Sequence, residues 1–468
     1  MNAKTIIPLL LLLIIPTIIS LAGAEEVAVG QEKPDFDDAG TLQKILAEAV
    51  LRDTLEERGP EGAKLFYPPD SQTPYTGWTK RLFENGKVKT LGHCNGGLAD
   101  GPYAQWYENG KKAKEGSFKN GKLEGLATEW HENGAKAMEA TFKDGKQEGL
   151  ASAWYKSGAK AGEATYEEDK LEGPYIKWHE NGRKEAQVTY KDGKLEGLAT
   201  MWHDNGQKAA EIIYKNGKQG GLTTEWHENG RKSEEATYKN GKAEGLVTQW
   251  YENGQKEAEV NYKNGKQEGL AAKWHENGQQ AVELIYNDGK QEGLATLWHK
   301  NGEKAGETTY KEGKLEGPYT KWYENGQKEE EGNNKDGKLD GPYTKWHENG
   351  QKKEEGFYKD GEMEGLTTDW HENGRKSKEA TFKDGKPEGP YSKWYENGQK
   401  EEEGNFKDGK MEGIATLWHE NGKPYTGRVK KLHSNGKVAL LGSLKDGKPD
   451  GLWTWWDENG HKEDEKRY

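Results

Sequence analysis

Cysteine is almost absent from this chain, since Cys94 is the only one among 468 residues. An intramolecular disulfide and a cysteine-based metal cluster are therefore excluded, and we interpret Cys94 as a packing residue rather than a reactive thiol. Hydrophobic residues are scarce as well, at 31%, against 32% charged residues. That balance alone favours disorder. However, 18 Trp, 22 Tyr and 8 Phe, mostly at regular positions, indicate an ordered sheet.

An excess of positive charge is also lacking. The 69 basic residues are outnumbered by 81 acidic ones, which gives a net charge of −12. Phosphate backbones and anionic lipids are bound through Lys and Arg, so we predict no nucleic-acid partner and disfavour membrane lipid. The sequence has no Gly-rich phosphate loop, no nucleophile elbow and no His-Glu-x-x-His motif. We therefore predict that the protein is not an enzyme and needs no cofactor.

Long apolar runs are confined to the N-terminus. The run from Ile6 to Leu21 follows Lys4 and is followed by Ala-Gly-Ala24. This pattern predicts a secretory signal peptide over 1–24, with an uncleaved membrane anchor as the alternative. We therefore expect a secreted, periplasmic or cell-envelope protein. Residues 25–40 are predicted to be a flexible lead.

An amphipathic helix is predicted over 41–59. Thr41 can cap its start, and Gly59-Pro60 ends it. Beside a repeat array, such a helix most often covers an open end or an exposed apolar face, and a partner-binding helix is the alternative. The apolar residues that recur at helical spacing are Leu42, Ile45, Leu46, Ala49 and Val50.

The rest of the chain is organised by a 24-residue repeat, which runs without insertions or deletions from Trp106 to Trp418, and the C-terminal units are out of phase with it by ten residues. We divide it into an N-terminal atypical repeat over 74–101, a repeat array over 102–421, and C-terminal atypical repeats with a charged tail over 422–468. A period of this size marks an architecture in which each unit packs on its neighbours. The tryptophans at the repeated position are candidates for a structural row or a binding face: Trp106, Trp130, Trp154, Trp178, Trp202, Trp226, Trp250, Trp274, Trp298, Trp322, Trp346, Trp370, Trp394 and Trp418.

Each repeat carries two turn signals, Asn-Gly after the tryptophan, replaced only by Ser157-Gly158, and usually Asp-Gly or Asn-Gly after a Tyr or Phe. Because these residues tolerate positive φ, the pattern predicts a β-hairpin, with strands at about 126–131 and 135–143. A single layer of hairpins with strands about 4.8 Å apart advances roughly 10 Å per repeat. The predicted fold is therefore all-β, an elongated single-layer antiparallel array of hairpins with a short N-terminal helix.

The distribution of apolar residues distinguishes between two possible hairpin registers. A two-residue turn would put Trp130 and Phe142 on opposite faces. A three-residue turn with Gly134 in the left-handed position of a bulge puts them on one face, with Leu126 and Ala140. The other face would then carry Glu129, His131, Glu139 and Thr141. We predict the bulged hairpin.

These units resemble MORN repeats, in the variant form found in bacterial antitoxin-like proteins. The resemblance covers about residues 74–460 and rests on Tyr107-Glu-Asn-Gly110-Lys and on the Gly-x-Phe-Lys-Asn-Gly-Lys-Leu-Glu-Gly stretch that ends at Gly125, with their copies. Trp-His/Tyr-Glu-Asn-Gly replaces the Tyr-x-Gly-x-Trp pattern of the classical form. The family is linked to scaffolding and membrane occupation, so the resemblance implies a non-enzymatic scaffold.

Three repeated rows of side chains could carry chemistry. A histidine follows the tryptophan in nine repeats, but neighbours about 10 Å apart cannot share one metal ion. The Glu139 row is predicted to be a solvated, charge-balanced face rather than a set of catalytic carboxylates. A tyrosine row lies on the polar face of the predicted register and either packs across strands or contacts a protein or glycan: Tyr103, Tyr175, Tyr319, Tyr343 and Tyr391.

The sequence therefore predicts an exported, non-enzymatic scaffold that binds a protein partner through an extended β-sheet surface. One alternative is an antitoxin or immunity-like protein that neutralises a specific toxin. Another is a structural ribbon of the cell envelope that contacts carbohydrate.

Overall fold

The computed structural model describes residues 34–60, 64–434 and 436–468. The predicted signal peptide lies outside them, as does the lead up to residue 33. None of the helices within these ranges combines the length and the apolar character needed to cross a membrane. The chain divides into two compact bodies. The first runs to Lys232 and includes Tyr238–Lys242, and the second comprises Ser233–Thr237 and Ala243–Tyr468.

The N-terminal helix, α1, spans Ala39–Glu48. Asp38 rather than Thr41 caps it, since its carboxylate accepts a hydrogen bond from the Thr41 N–H at 2.7 Å. The predicted end at residue 59 is wrong, because Val50 and Leu51 pair in parallel with a strand of the sheet and a 3₁₀ turn, Arg52–Thr54, follows. Of the predicted flexible lead, the structure describes residues 34–40. Phe36 in this part is only 3% exposed, so it is packed against the sheet.

Almost all other regular structure is β. The first body holds β1 (Val50–Leu51), β2 (Glu56–Arg58), β3 (Leu65–Tyr67), β4 (Gly77–Leu82), β5 (Val88–Asn95), β6 (Leu98–Trp106), β7 (Lys112–Lys119), β8 (Lys122–Leu123), β9 (Gly125–Trp130), β10 (Lys136–Lys143), β11 (Lys146–Trp154), β12 (Lys160–Glu167), β13 (Lys170–Trp178), β14 (Lys184–Lys191), β15 (Lys194–Leu195), β16 (Gly197–Trp202), β17 (Lys208–Lys215) and β18 (Lys218–Trp226). The change from one body to the other falls within β19 (Lys232–Lys239) and β20 (Lys242–Ala243).

The second body continues with β21 (Gly245–Trp250), β22 (Lys256–Lys263), β23 (Lys266–Trp274), β24 (Gln280–Asn287), β25 (Lys290–Trp298), β26 (Lys304–Lys311), β27 (Lys314–Trp322), β28 (Lys328–Lys335), β29 (Lys338–Leu339), β30 (Gly341–Trp346), β31 (Lys352–Lys359), β32 (Glu362–Met363), β33 (Gly365–Trp370), β34 (Lys376–Lys383), β35 (Lys386–Trp394), β36 (Lys400–Lys407) and β37 (Lys410–Leu417). A four-stranded sheet follows: β38 (Gly427–Leu432), β39 (Val438–Lys445), β40 (Lys448–Trp456) and β41 (Lys462–Arg467).

In each body the strands pair antiparallel in chain order, hairpin after hairpin, in one open layer. The predicted class, an antiparallel hairpin array with one short N-terminal helix, is confirmed. Two pairings lie outside this rule: β1 runs parallel to β4, and β2 pairs only with β3.

The turn after the tryptophan has the predicted form. The His131 N–H donates to the Ala135 carbonyl, and the Gly134 N–H donates to the His131 carbonyl, both at 2.8 Å. Gly134 has a φ of 91°. This is a three-residue turn closed by a glycine bulge, as the Glu-Asn-Gly sequence indicated.

The predicted assignment of faces is wrong, because a second bulge follows this turn. Trp130 pairs with Lys136, but Glu129 pairs with Met138, so that one residue of β10 has no partner. The slip places Leu126 opposite Thr141 and Ala127 opposite Ala140. Because directly opposed residues share a face, and alternate residues of a strand do too, Leu126 and Trp130 lie with Glu139 and Thr141.

We call the two surfaces the tyrosine face and the tryptophan face. In the repeat over 123–146, the tyrosine face carries Leu123, Ala127, Glu129, Met138, Ala140 and Phe142, and the tryptophan face carries Leu126, Thr128, Trp130, Lys136, Glu139 and Thr141. The other repeats follow the same register.

The second turn of each repeat is also a hairpin turn rather than a separate link. Asp144 and Gly145 have φ values of 50° and 83°, and Lys143 pairs directly with Lys146. Positive φ at both central residues is typical of a type I′ turn, whose twist matches that of the flanking strands. The Asp144 N–H also donates at 2.9 Å to the carboxylate of Glu124, which follows the equivalent turn one period earlier in the chain. Carboxylates therefore join successive turns.

The tyrosine face holds most of the core. Ala140 and Val188 are each 1% exposed, and Ala199 is 2% exposed. Where a tyrosine replaces the small residue on one strand, the opposite position is usually glycine: Tyr103 with Gly116, Tyr319 with Gly332, Tyr343 with Gly356, and Tyr391 with Gly404. A Cβ at Gly332 would lie 2.8 Å from the Tyr319 ring. Because glycine has no Cβ, it leaves room for the tyrosine ring of the opposite strand.

Candidate binding face of the repeat sheet

All fourteen candidate tryptophans are half-buried. Those that pair with a neighbouring strand stand at the last position of their own strand. Trp130, for example, ends β9 and pairs with Lys136. They lie on the tryptophan face and not beside the alanine and tyrosine core, contrary to the predicted register. The rings are therefore neither a closed core nor fully solvated.

A lysine ammonium lies over most of these rings. Lys112 Nζ is 5.5 Å from the centre of the Trp130 ring, and Lys136 Nζ is 5.4 Å from that of Trp154. Each lysine thus reaches the tryptophan of the following repeat, within the range of a cation–π contact. The same lysine also bonds a carboxylate on its own strand, as Lys136 does to Glu139 at 2.6 Å. The glutamate row is charge-balanced, as predicted.

A row of exposed leucines runs beside the tryptophans on the same face. The Leu126 side chain is 53% exposed, and its counterparts in other repeats are 49% to 57% exposed. Opposite some of them stands a second exposed apolar residue, as Ile285 stands opposite Leu270. The counterparts of Leu126 are Leu150, Leu198, Leu222, Leu246, Leu270, Leu294 and Leu366.

At the start of the first body, this face is covered by the N-terminal segment. Phe36 makes edge contacts with Trp78 and Trp106, with ring centres 6.0 and 6.3 Å apart. Ile45 and Ala49 of the α1 segment pack on Leu91 and Ala104, which are 1% and 0% exposed. Of the two predictions for this helix, the one in which it covers an apolar face is confirmed.

Polar contacts fix both ends of that segment. Lys80 donates to the Leu46 carbonyl near the helix C-terminus at 2.8 Å, where backbone carbonyls lack helical partners. Asp37 forms an ion pair of 2.7 Å with Lys112, whose side chain is only 13% exposed. The helix is therefore held by apolar packing with one charge contact at each end.

The histidine row forms inter-repeat hydrogen bonds. His131 Nε2 is 2.9 Å from the Trp154 carbonyl oxygen, and Tyr107, at the same position one repeat earlier, donates to the Trp130 carbonyl at 2.7 Å. Since a carbonyl only accepts, the histidine nitrogen must carry the proton, which the neutral ring can supply. His and Tyr interchange because both bring a donor to the same carbonyl. Within the described ranges, no group of His, Cys, Asp or Glu is arranged to hold a metal ion.

The tyrosine row is buried, and its predicted position on the polar face is wrong. Tyr343 and Tyr391 are 2% and 3% exposed. The Tyr343 hydroxyl bonds Glu354, which also pairs with Lys345 at 2.8 Å. Burial, reinforced by the nearby glutamate, raises the pKa of Tyr343 far above its ordinary value. These rings stiffen the sheet by cross-strand packing.

Cys94 is also a packing residue, 1% exposed. Burial raises the pKa of its thiol, and the positive charge of Arg52 opposes this shift.

The tryptophan row could be predicted from the sequence, but the exposed leucines and the contact between Phe36 and the sheet were not. The doublet Leu-Ala or Leu-Thr, which begins four residues before the tryptophan in seven of the repeats, signalled the leucine row, but only the bulge decides which face it occupies.

Ten segments of the chain match the family described as the MORN repeat variant: 99–120, 123–144, 171–192, 195–216, 219–240, 243–264, 315–336, 339–360, 387–408 and 449–468. A further segment, 403–423, matches the MORN repeat. A search of the curated proteins finds no match.

Among solved structures, the chain is similar to one from a crystal structure of TcdB2-TccC3-Cdc42, with 8% identity and a TM-score of 0.14 over 83% of this chain and 26% of that one. It is also similar to one in the Photorhabdus luminescens Tc holotoxin pore, with 9% identity and a TM-score of 0.14 over 86% of this chain and 25% of that one. The chain thus spans about a quarter of the length of these structures. Similarity at this level carries no argument about function.

Proposed function

We propose that this chain, ten segments of which match the MORN repeat variant, is an exported, non-enzymatic scaffold that binds a protein partner through the tryptophan face of its sheet. The family's repeats imply a scaffold. The finer proposal, a protein partner at this face, is supported by the side chains that the face leaves in solvent.

The row of exposed leucines carries the proposal. In a chain with 31% hydrophobic residues, half-exposed leucines recur at one position of one face, beside half-buried tryptophans. Apolar surface in such a contiguous row is typical of an interaction site. Aromatic residues are enriched at protein interfaces, and a standard interface takes about 800 Å² per partner, more than one hairpin offers. Several adjacent repeats should therefore bind together.

A triple variant tests this proposal in the full chain. The partner is first isolated from the organism that makes the protein, and its affinity is then measured against Leu246→Asp with Leu270→Asp and Leu294→Asp. We expect a loss of about a hundredfold or more, equivalent to about 2.7 kcal/mol, because three apolar contacts are lost at once. The matched control is Leu297→Asp, since Leu297 is 41% exposed but lies on the tyrosine face.

Different results would support the other two functions. Equal affinity of the triple variant and the wild type would contradict the tryptophan face as the site. Retention on purified cell-wall material without any protein partner would favour the envelope ribbon. Suppression of one specific toxin by the purified chain would favour the immunity protein. Export is checked separately, since cleavage after the predicted signal peptide leaves a secreted chain that begins at Glu25, which intact mass measurement detects.

A further inference from the structure

The two atypical repeats at the ends of the chain have the same design. Pro-Tyr-Thr-Gly77 recurs as Pro-Tyr-Thr-Gly427, 350 residues later, and the following strands keep that offset without a gap. β4 to β6 correspond to β38 to β40, with Gly77 paired to Cys94 and Gly427 paired to Leu444. The hydroxyl of the tyrosine bonds the same backbone carbonyl in both, that of Trp78 and that of Arg428. Positions in the two repeats can therefore be compared one by one.

At one position on the tryptophan face, these two repeats differ in residue type from every repeat of the array. It is Leu91 in the N-terminal atypical repeat and Leu441 in the C-terminal one. In the array the same position is a glutamate, or once a glutamine: Glu115, Glu139, Glu163, Gln187, Glu211, Glu235, Glu259, Glu283, Glu307, Glu331, Glu355, Glu379 and Glu403. The array thus keeps this position charged, and only the atypical repeats make it apolar.

In the N-terminal atypical repeat, the reason for the leucine is visible. Leu91 is 1% exposed because Ile45 and Ala49 of the α1 segment pack on it. The two lysines that hold this segment are Lys80, at the carbonyl of Leu46, and Lys112, at Asp37. A glutamate at position 91 would be buried there and would compete with the Leu46 carbonyl for Lys80, which lies opposite it. The leucine is therefore a docking position for a helix.

In the C-terminal atypical repeat, the same position is exposed. Leu441 is 42% exposed, and Leu452, also on the tryptophan face, is 51% exposed. Both anchoring lysines recur 350 residues on, as Lys430 and Lys462. Arg428 replaces Trp78 and adds a further positive charge. Among the described residues of the second body, no helix covers this surface.

We propose that the tryptophan face around Leu441 docks an amphipathic helix of a partner protein that carries acidic side chains. Leu441 and Leu452 would receive its apolar side, as Leu91 receives Ile45. Lys462 would pair with a carboxylate near the helix N-terminus, as Lys112 pairs with Asp37, and Lys430 would bond a carbonyl at its C-terminus. The inference rests on the proposed function, a protein-binding scaffold, and adds the class of partner segment and its place.

The probe is a synthetic peptide with the sequence of residues 34–51, which holds the acidic and apolar residues of the docked segment. It is titrated into the full chain, whose own α1 occupies the N-terminal atypical repeat. We expect one peptide to bind per chain. Leu441→Glu should weaken binding about tenfold or more, because it removes an apolar contact and sets a negative charge against acidic side chains. The fold should survive, since the array carries glutamate at this position.

The matched control is Leu297→Glu, which puts the same charge on an equally exposed leucine of the tyrosine face within the array. We expect no change in peptide affinity. Absence of peptide binding, or binding that Leu441→Glu leaves unchanged, would overturn the inference. Dimers of the chain that Leu441→Glu dissociates would also overturn it in favour of a second copy. Neither result changes the outcome of the affinity measurement on the triple leucine variant. Failure of the helix-docking inference can therefore be distinguished from failure of the proposed function.

Discussion

The atypical repeats at the two ends of the chain share strands, register and turn contacts but differ in what lies on their tryptophan faces. The N-terminal one is covered by Phe36 and α1, so that Leu91 is 1% exposed. In the C-terminal one, Leu441 at the equivalent position is 42% exposed. The pairing of the strands in these repeats therefore does not depend on the helix. The comparison also shows that both atypical repeats carry leucine at this position, whether or not a helix covers it.

The largest effect should come from placing a charge at this position. Leu91→Glu buries a carboxylate beneath α1 and opposite Lys80, whose ammonium already bonds the Leu46 carbonyl, and the desolvation of a buried ion costs several kcal/mol. The helix should therefore detach, and its amides should lose protection in hydrogen exchange. Leu441→Glu should change stability by less than about 0.5 kcal/mol, because the site is exposed. Equal losses of protection in both variants would contradict the comparison.

A smaller effect is expected from the glycines under the large aromatic of each atypical repeat. A Cβ at Gly442 would lie 2.0 Å from the ring of Trp453, which is fully buried, whereas a Cβ at Gly92 would lie 3.5 Å from Tyr103. Gly442→Ala should therefore destabilise β38–β41 by about 1–3 kcal/mol through overpacking, and Gly92→Ala by clearly less. Site-resolved hydrogen exchange measures both, and a larger loss for Gly92→Ala would show that the Trp453 ring can move aside.

Alkaline pH should also distinguish the two repeats, by a smaller margin. Burial, reinforced by Glu129 and Glu115, raises the pKa of Tyr103 to about 12. Because the folded state holds this proton more tightly than the unfolded chain does, the contribution to stability is complete below pH 10. It is lost as the pH rises from 10 to about 12. At the equivalent position Trp453 has no proton to lose in this range.

The measurement for this prediction is hydrogen exchange in β6 and β40 across that range of pH, with Tyr103→Phe as the control. The control should remove most of the extra loss in β6 and leave β40 unchanged. An unchanged pH dependence in the Tyr103→Phe variant would show that other groups cause the alkaline loss.

The smallest effect should come from the ion pair at the start of the covering segment. Asp37→Asn removes a 2.7 Å contact with Lys112, but the Asp37 side chain is 78% exposed. An ion pair that water screens on one side contributes at most about 1 kcal/mol. We expect a slight gain in α1 exchange rate that added salt reproduces in the wild type. A loss as large as that of Leu91→Glu would mean that charge, rather than apolar packing, holds the helix.

The sequence by itself determined the repeat, the hairpins and both turns. Gly134 and the Asp144-Gly145 pair can adopt positive φ where bulkier residues are strained, so the turns are encoded locally. The period of 24 residues then fixed the order of the strands, because consecutive hairpins pair with their neighbours. The N-terminal helix was also recognisable from its spacing of apolar residues, though not its end.

The tertiary structure decided which face each side chain occupies. A single bulge after Lys136 moves Leu126 and Trp130 away from Ala140, and nothing in the period-two pattern signals it, because apolar residues lie on both faces. The end of α1 likewise depends on another part of the sheet, because Val50 and Leu51 pair with the edge of β4. Pairing between the two strands of one hairpin set the first outcome, and pairing with a strand further along the chain set the second. Local preference therefore specified the strands and turns, and pairing between strands specified which side chains each face presents.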